Sequence, residues 1–131
     1  MQGNTVRGIR DDVPVIQLAD SKKRIAIYTA CFPQDCYSDP KGGTKSTINH
    51  IFKKLKFANA TPLALTNCLN FGNPENPKIM WEFTQTIQGM KDMCTSLDFP
   101  IVSGNVSFYN ETNGDNIMPT PVFGAIGLME D

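Results

Sequence analysis

FPIVSGNVSFYNET, residues 99–112, is the stretch on which the predicted fold and the predicted site both depend. Its first four residues are apolar and include the β-branched Ile101 and Val102, a composition typical of a buried strand. Phe108 and Tyr109 return to strand-forming chemistry, so one strand is predicted over residues 99–109. The residues between these two apolar parts are small and polar, which an ordinary strand does not require.

The polar middle of this stretch predicts a ligand site. Gly104 has no Cβ, so an anion could approach the backbone and contact bare N–H groups. Ser103 and Ser107 offer hydroxyl groups, and Asn105 offers a neutral oxygen that suits a ligand or a hard cation such as Mg²⁺. Taken alone, such a stretch is more often a polar loop that closes a strand. A second motif is therefore needed to support the functional interpretation.

Periodicity predicts the other elements of the chain. Strands are predicted over Val13–Leu18 and Arg24–Thr29, joined by a hairpin loop at residues 19–23, and residues 31–43 have loop composition. A helix is predicted to begin near Thr44 or Ser46, and a second one to begin at Pro77. The apolar stripes of these two helices contain Ile48, Ile51, Phe52 and Leu55 in the first, and Phe83, Ile87, Met90, Cys94 and Leu97 in the second.

Two further strands complete the predicted sheet. Thr61–Leu69 reads as a buried strand that ends in polar groups at Asn67, and Val122–Leu128 follows a turn at Asn113-Gly114. The resulting order, β-β-α-β-α-β-β, predicts an α/β (α+β) fold in which two crossover helices cover one face of a mixed β-sheet. We expect residues 1–131 to form a single domain and residues 1–12 to be partly disordered or displaced from their native context.

Parallel placement of the two motifs strengthens the site prediction. Asn67 and the Ser103–Ser107 segment end successive strands that follow crossover helices, and ligands of open α/β sheets gather beyond such carboxyl ends. The last predicted strand carries bulky apolar groups on both faces, at Val122, Phe123, Ile126 and Leu128. Because the helices cover only one face, we expect the isolated chain to bury the other face in a homodimer.

Composition excludes several other classes of function. The net charge of −1 gives no basis for binding nucleic acid or an anionic membrane, and no apolar run approaches the ~20 residues that span a bilayer. A cytoplasmic location is the default expectation. The four cysteines, Cys31, Cys36, Cys68 and Cys94, lack zinc-site spacing, which makes a redox or metal protein the weakest alternative. His50, among the lysines at 53, 54 and 56, is predicted to be a solvated surface histidine.

Both motifs resemble one enzyme family. Asn67-Cys-Leu-Asn-Phe-Gly-Asn-Pro-Glu75 is similar to the family motif DCLNFGNPE, and Ser103-Gly-Asn-Val-Ser-Phe-Tyr-Asn-Glu111 to SGNVSFYNE. These are motifs of phosphoribosylformylglycinamidine synthase, and the similarity runs from Gly3-Asn4-Thr5 to the terminal Gly127-Leu-Met-Glu-Asp131. Its fold would be that of the aminoimidazole ribonucleotide synthetase N-terminal-like domain. The chain resembles the second N-terminal copy of a pseudo-dimeric enzyme, which implies a fragment of a larger multidomain protein.

The resemblance implies an activity, cofactors and partners. The family converts formylglycinamide ribonucleotide, ATP and glutamine-derived ammonia to formylglycinamidine ribonucleotide in purine biosynthesis, with Mg²⁺. By the family pattern, Asn67 and Gly104 would contact ATP, Asn105 would ligate Mg²⁺, and Ser107 would contact the ribonucleotide. The catalytic histidine belongs to the first copy, so no catalytic residue is assigned here and the isolated chain is expected to be inactive. Partners would be the sister domains, a glutaminase subunit and a small accessory subunit, or their fused equivalents.

Three positions depart from the family pattern. Asn67 and Ala30 stand where the family has aspartate, and Arg10-Asp11-Asp12 replaces a G-G-D turn. The departures put the strength of the nucleotide contacts in question, although not the family. The alternative is therefore a free-standing, non-catalytic module that holds a nucleotide or docks a partner.

Overall fold

The computed structural model describes residues 5–7 and 12–130 of the chain. Three helices are present in this part: α1 (Pro33–Ser38), α2 (Pro40–Phe57) and α3 (Pro77–Leu97). The strands are β1 (Thr5–Arg7), β2 (Val15–Gln17), β3 (Arg24–Ala30), β4 (Thr61–Asn70), β5 (Ile101–Ser107), β6 (Glu111–Thr112), β7 (Asp115–Asn116) and β8 (Thr120–Met129). No helix of the described residues is long and apolar enough to cross a bilayer.

Six strands form one mixed sheet in the order β1-β2-β3-β8-β4-β5, and β6 and β7 form a separate hairpin. β8 lies antiparallel between β3 and β4, and β4 pairs with β5 in parallel. β3, β4 and β5 therefore run in the same direction, and their carboxyl ends meet at one edge of the sheet. The predicted fold class, a mixed sheet with two crossover helices on one face, is confirmed.

The hydrophobic core lies between the sheet and its helices. Its largest fully buried side chains include Phe71, Phe99 and Phe123, together with Ile48, Ile51 and Leu55 from the predicted stripe of α2. Alternation along β8 places Phe123 and Ala125 on this covered face and Ile126 on the open one, as the sequence predicts. The helices therefore leave the opposite face of the sheet uncovered in the described chain.

The prediction for residues 31–43 and for the start of the first long helix is wrong. α1 occupies residues 33–38, and α2 begins at Pro40 rather than near Thr44 or Ser46. Asp39 caps α2, because its side chain accepts a hydrogen bond from the Gly42 N–H at 2.9 Å. Each proline stands in the first turn of its helix, where a missing N–H costs nothing, so these prolines start helices instead of marking a loop.

Two predictions about the strand at 99–109 are also corrected. β5 covers only residues 101–107, because Tyr109 takes a left-handed φ of 59° that turns the chain away. β5 is also not a buried strand, because five of its seven residues are exposed and Val102 is 69% exposed. Thr61–Leu69, predicted as a buried strand, likewise alternates between buried and exposed positions in β4. Periodicity finds such strands but does not show which of their faces the helices cover.

Some predictions near the termini and turns have mixed outcomes. β1 lies within residues 1–12 and pairs with β2, so this part is a strand where disorder was expected. The remaining residues of that segment, apart from Asp12, lie outside the described chain, and so do Arg10 and Asp11 of the predicted departure from the G-G-D turn. The turn at Asn113-Gly114 is confirmed, with φ of 52° and 82° joining β6 to β7.

Candidate functional site

Asn67 and Gly104 are direct neighbours in the sheet. They pair in register across β4 and β5, on the face that the helices cover. A Cβ at position 104 would lie 2.6 Å from the Asn67 Cγ, a distance that real Cβ atoms do not tolerate. A side chain at position 104 would therefore displace the Asn67 amide that packs against Gly104, and the structure brings together the two residues assigned to ATP.

A cross-strand row connects this pair to another departure from the family pattern. Ala30 pairs with Phe123 in β8, Phe123 pairs with Asn67, and Asn67 pairs with Gly104. The two positions where the resemblance implies aspartate therefore lie at the same level of the sheet, on either side of the buried Phe123 ring. Ala30 and Asn67 thus share one local environment, and neither side chain brings a charge to it.

An open cleft of about 390 Å³ lies beside the pair, between the β5 edge and α3. Its lining includes Asn67, Gly104, Ile87, Met90, Ile101 and Val106, with no charged side chain among its described residues. Such a surface can pack against a flat or apolar part of a ligand and form hydrogen bonds through an amide. It cannot neutralise phosphate charge, since that requires cationic groups or metal ions.

Asn105 and Ser107 point to the other face of the sheet from Asn67. Asn105 pairs with Cys68 and Ser107 pairs with Asn70. Cys68 and Asn70 follow Asn67 by one and three residues, so their side chains and those of their partners point to the opposite face. The four residues of the predicted site therefore cluster at one sheet edge but divide between its two faces. A single ligand could contact all of them only by passing over that edge.

The described residues do not fit a Mg²⁺ site on their own. Asn105 contributes one neutral oxygen, and Asn67 lies on the opposite face. No group of three or more His, Cys, Asp or Glu side chains in the described chain could hold a metal ion. Protein Mg²⁺ sites usually supply one or two carboxylates beside substrate phosphates. Any Mg²⁺ here would need most of its ligands from a bound nucleotide or from another domain.

Backbone hydrogen bonds join the segments that follow β4 and β5. The Phe71 N–H donates to the Ser107 carbonyl at 2.9 Å, and the Tyr109 N–H donates to the Gly72 carbonyl at 2.9 Å. The Asn110 N–H donates to the Phe71 carbonyl at 3.2 Å. The polar ends of both motifs are therefore one hydrogen-bonded unit, as the parallel placement of the motifs predicts.

Asn116 also holds this unit, and the sequence analysis missed it. Its Oδ1 accepts the Asn73 N–H at 2.7 Å, and its Cβ would lie 2.6 Å from a Cβ added at Gly72. The Asn73 side chain in turn accepts the Glu75 N–H at 2.9 Å. The Asn113-Gly114 turn indicates that residue 116 returns toward residue 111, but no local pattern indicates that it reaches Gly72.

Of the cysteines and His50, only Cys68 lies in the candidate site, where it is exposed on β4 and pairs with Asn105. All four cysteines are free, and burial raises the pKa of the Cys36 thiol to about 11, which keeps it protonated and unreactive at neutral pH. His50 is half-buried, with its Nε2 3.1 Å from the Tyr28 hydroxyl and its ring edge-on to Phe32. The prediction of a solvated surface histidine is wrong, because α2 packs this position against β3.

Comparison with known protein families and structures identifies close relatives. The model of the N-terminal domain of AIR synthase related proteins matches residues 10–129. The chain is 46% identical over 132 residues to the phosphoribosylformylglycinamidine synthase subunit PurL of Nitratiruptor sp., covering 100% of this chain and 18% of that protein. The chain thus spans less than a fifth of the length of this curated relative.

Solved structures give the same result for the fold. T. maritima PurL complexed with ATP superposes with a TM-score of 0.88 and 27% identity, covering 96% of this chain and 21% of that one. The PurLQS structure from Thermotoga maritima superposes with a TM-score of 0.90 and 26% identity, covering 98% and 21% of the respective chains. The similarity therefore covers nearly the whole of this chain and one part of a much longer protein.

Proposed function

Because the chain belongs to the family of AIR synthase related proteins, as an N-terminal domain of that family, we propose that it is a ligand-binding domain of a phosphoribosylformylglycinamidine synthase. In this proposal residues 1–131 are a single domain of a larger enzyme. That enzyme uses ATP and glutamine-derived ammonia to convert formylglycinamide ribonucleotide to formylglycinamidine ribonucleotide. The domain contributes contacts to ATP and to the ribonucleotide, and it supplies no catalytic residue.

One observation carries the proposal: the two family motifs follow adjacent parallel strands and join into one hydrogen-bonded unit. Asn67 and Gly104 pair in register, and Phe71 and Ser107 are linked by the backbone at 2.9 Å. Strand topology alone brings the carboxyl ends of β4 and β5 together, and the hydrogen bonds between the segments that follow them build one polar unit that can hold a ligand. We assign ATP contacts to Asn67 and Gly104 at the covered face, and a ribonucleotide contact to Ser107 at the other.

The larger enzyme would supply what this chain lacks. The uncharged cleft requires phosphate-neutralising groups from a sister domain, and ammonia requires a glutaminase, either as a separate subunit or as a fused domain. A small accessory subunit completes the proposed assembly, which we place in the cytoplasm. The 131-residue chain alone would have no synthetase activity.

The phosphates of ATP would supply most of the ligands of Mg²⁺ in this enzyme. Asn105 would add one neutral oxygen to its coordination, since the described residues offer no carboxylate cluster there. When bound, such an ion supplies positive charge that screens the phosphate oxygens. The contribution of this chain is therefore limited to holding and orienting groups at the sheet edge.

The uncharged row from Ala30 to Gly104 favours a second candidate function. Two missing carboxylates at one level of the sheet would weaken an ATP–metal contact while leaving the fold intact. On this hypothesis the domain is a non-catalytic half that holds a nucleotide or docks a partner. The two candidates differ in one measurable property, because only the first makes synthetase turnover sensitive to Asn105 and Ser107.

Substitutions in the full-length enzyme test the proposal. Asn105→Ala is expected to raise the Mg²⁺ concentration needed for half-maximal activity, and Ser107→Ala to raise the KM for the ribonucleotide. One neutral hydrogen bond is worth about 0.5–1.5 kcal/mol, which corresponds to roughly 2- to 13-fold in each constant. Steady-state kinetics at limiting Mg²⁺ and at limiting ribonucleotide measures both changes.

Lys53→Ala is the control, because Lys53 is exposed on α2 and lies outside both motifs. It should leave both constants unchanged. Wild-type values for both site variants, in an enzyme that turns over, would contradict the assignment of these residues and favour the second candidate function.

The open face of the sheet leads to a prediction for the isolated chain. An apolar pocket of about 300 Å³ lies on this face, and its lining includes Ile27, Ala64, Val102 and Ile126. In the proposed enzyme a sister domain covers this surface, so the isolated chain should cover it with a second copy. Burying one such side chain is worth about 1.5–3 kcal/mol, and a twofold contact buries each of them twice.

Light scattering coupled to gel filtration at tens of micromolar should therefore report a dimer for the isolated chain. Ile126→Lys should convert it to a monomer, whereas Phe57→Lys should not, because Phe57 is exposed at the end of α2 rather than on the sheet. A monomeric wild type would show that a segment of the chain itself covers the open face of the sheet. A dimer that survives Ile126→Lys would show that another surface forms the dimer contact.

A further inference from the structure

The Asn110 side chain faces three hydrogen-bond acceptors. Its Nδ2 lies 3.0 Å from the Phe71 carbonyl, 3.2 Å from the Ser107 carbonyl and 3.1 Å from the Ser107 Oγ. Carbonyl oxygens can only accept, so the amide nitrogen must face them and the orientation of the amide is determined. The two amide hydrogens are thus divided between Phe71 and Ser107.

Local backbone geometry holds Asn110 in this position. Tyr109 adopts a left-handed φ of 59°, which is uncommon for a bulky residue and reverses the chain directly after β5. The Tyr109 N–H donates to the Gly72 carbonyl, and the Asn110 carbonyl accepts the Ile117 N–H at 3.0 Å. Hydrogen bonds to Gly72, distant in sequence, and to Ile117, close in sequence, therefore both hold the turn, and the amide of Asn110 is directed back at Ser107.

The hydrogen bond from Asn110 determines what the Ser107 hydroxyl can offer. A serine hydroxyl has one proton to donate and two lone pairs, and the Nδ2 contact occupies a lone pair. The Asn110 Oδ1 lies 3.5 Å from the Ser107 Oγ, too far to hold the hydroxyl proton well. Within residues 5–7 and 12–130 no other acceptor forms a hydrogen bond with that proton. The half-buried hydroxyl is therefore left with a proton to donate.

We infer that Asn110 is a positioning residue that presents the Ser107 hydroxyl as a hydrogen-bond donor, so that Ser107 selects an acceptor oxygen on its ligand. This inference rests on the proposed function, in which that ligand is formylglycinamide ribonucleotide. Its phosphate and carbonyl oxygens share the required chemistry, since both only accept. Asn110 acts through Ser107 and does not itself contact the ligand.

A double-mutant cycle in the full-length enzyme tests the inference. Ribonucleotide dissociation constants are measured by calorimetry for the wild type, Ser107→Ala, Asn110→Ala and the double variant. Each single variant should weaken binding by roughly 2- to 13-fold, as expected for one hydrogen bond. In the Ser107→Ala background, Asn110→Ala should add less than a further twofold, because the hydroxyl that it orients is already absent.

Two further measurements separate positioning from a general loss of structure. The dissociation constant for ATP should stay within twofold of the wild-type value in all variants, whereas a disrupted sheet edge would change both constants. Ser107→Thr keeps the hydroxyl and should recover most of the ribonucleotide affinity. If Asn110→Ala fails to fold, as judged by thermal unfolding, Asn110→Asp replaces it, since its carboxylate also lacks the N–H donor.

The possible failures are distinguishable. A wild-type enzyme that binds no ribonucleotide overturns the proposed function and this inference together. Wild-type binding with effects of Ser107→Ala and Asn110→Ala that multiply overturns the inference alone, because the two side chains then act independently. Wild-type binding that Ser107→Ala leaves unchanged removes Ser107 from the site and the inference with it.

Discussion

Replacing Phe71 with alanine is expected to lower the free energy of unfolding of the domain by about 3–5 kcal/mol, the largest effect predicted for a single side chain here. Phe71 is fully buried, and its ring lies edge-on to Phe83 at a centroid distance of 5.4 Å and tilted against Phe108 at 6.2 Å. Alanine would leave a cavity among these rings, and cavities in close-packed cores do not collapse completely.

The same substitution should also weaken ligand binding, because the Phe71 backbone accepts hydrogen bonds from both the N–H and the side chain of Asn110. Urea denaturation of the isolated domain measures the change in stability. Phe57→Ala is the matched control, since the Phe57 ring is 83% exposed and its loss should change the stability by less than about 0.5 kcal/mol. Equal effects of the two substitutions would mean that the aromatic cluster is not part of the core.

Gly43→Ala is expected to destabilise the domain by about 1–3 kcal/mol, against the direction that helix propensity predicts. Gly43 lies in the first turns of α2, where alanine would ordinarily gain about 1 kcal/mol over glycine. A Cβ at this position, however, would lie 2.7 Å from the backbone carbonyl carbon and oxygen of Asp35 and the Cys36 nitrogen. These are main-chain atoms of α1, which cannot rotate away as a side-chain terminus could.

Ser46→Ala, three residues further along α2, is the control for Gly43→Ala. Ser46 is exposed, so its replacement should be neutral or slightly stabilising, by no more than about 0.5 kcal/mol. The opposite signs of the two substitutions would establish that the contact between α1 and α2 decides the outcome. A stabilising Gly43→Ala would instead show that α1 can move aside at little cost.

Much of the fold could be predicted from the sequence because its signals are local. The α3 helix begins at Pro77 as predicted, since proline fits the first helical position and the Asn76 side chain caps it by accepting the Lys78 N–H at 2.9 Å. The Asn113-Gly114 turn is confirmed for the same reason, because both residues tolerate positive φ. The start of α2 was missed although its signal is equally local, since Asp39-Pro40 is a cap followed by a first-turn proline.

Edge and face assignments in the site could not be predicted in the same way. Within one strand, alternation shows that a side chain points to the opposite face from the residues before and after it. Whether Asn67 and Asn105 share a face depends on the register between β4 and β5. A shift of one residue in this register would place Asn105 on the same face as Asn67. The row from Ala30 through Phe123 and Asn67 to Gly104 likewise depends on three strand pairings at once.

The sequence by itself therefore determined the main strands, the two long helices, their order and the two motifs, but not α1, β1 or the start of α2, because propensities and turns depend on a few consecutive residues. Only the tertiary structure decided that the Asn110 amide meets Ser107 and Phe71, and that Asn116 holds Asn73 beside Gly72. Contacts of Asn110 with Phe71, and of Asn116 with Asn73, join positions about 40 residues apart. Such contacts form only when the sheet brings the ends of β4 and β5 together, since no local preference encodes the distance between them.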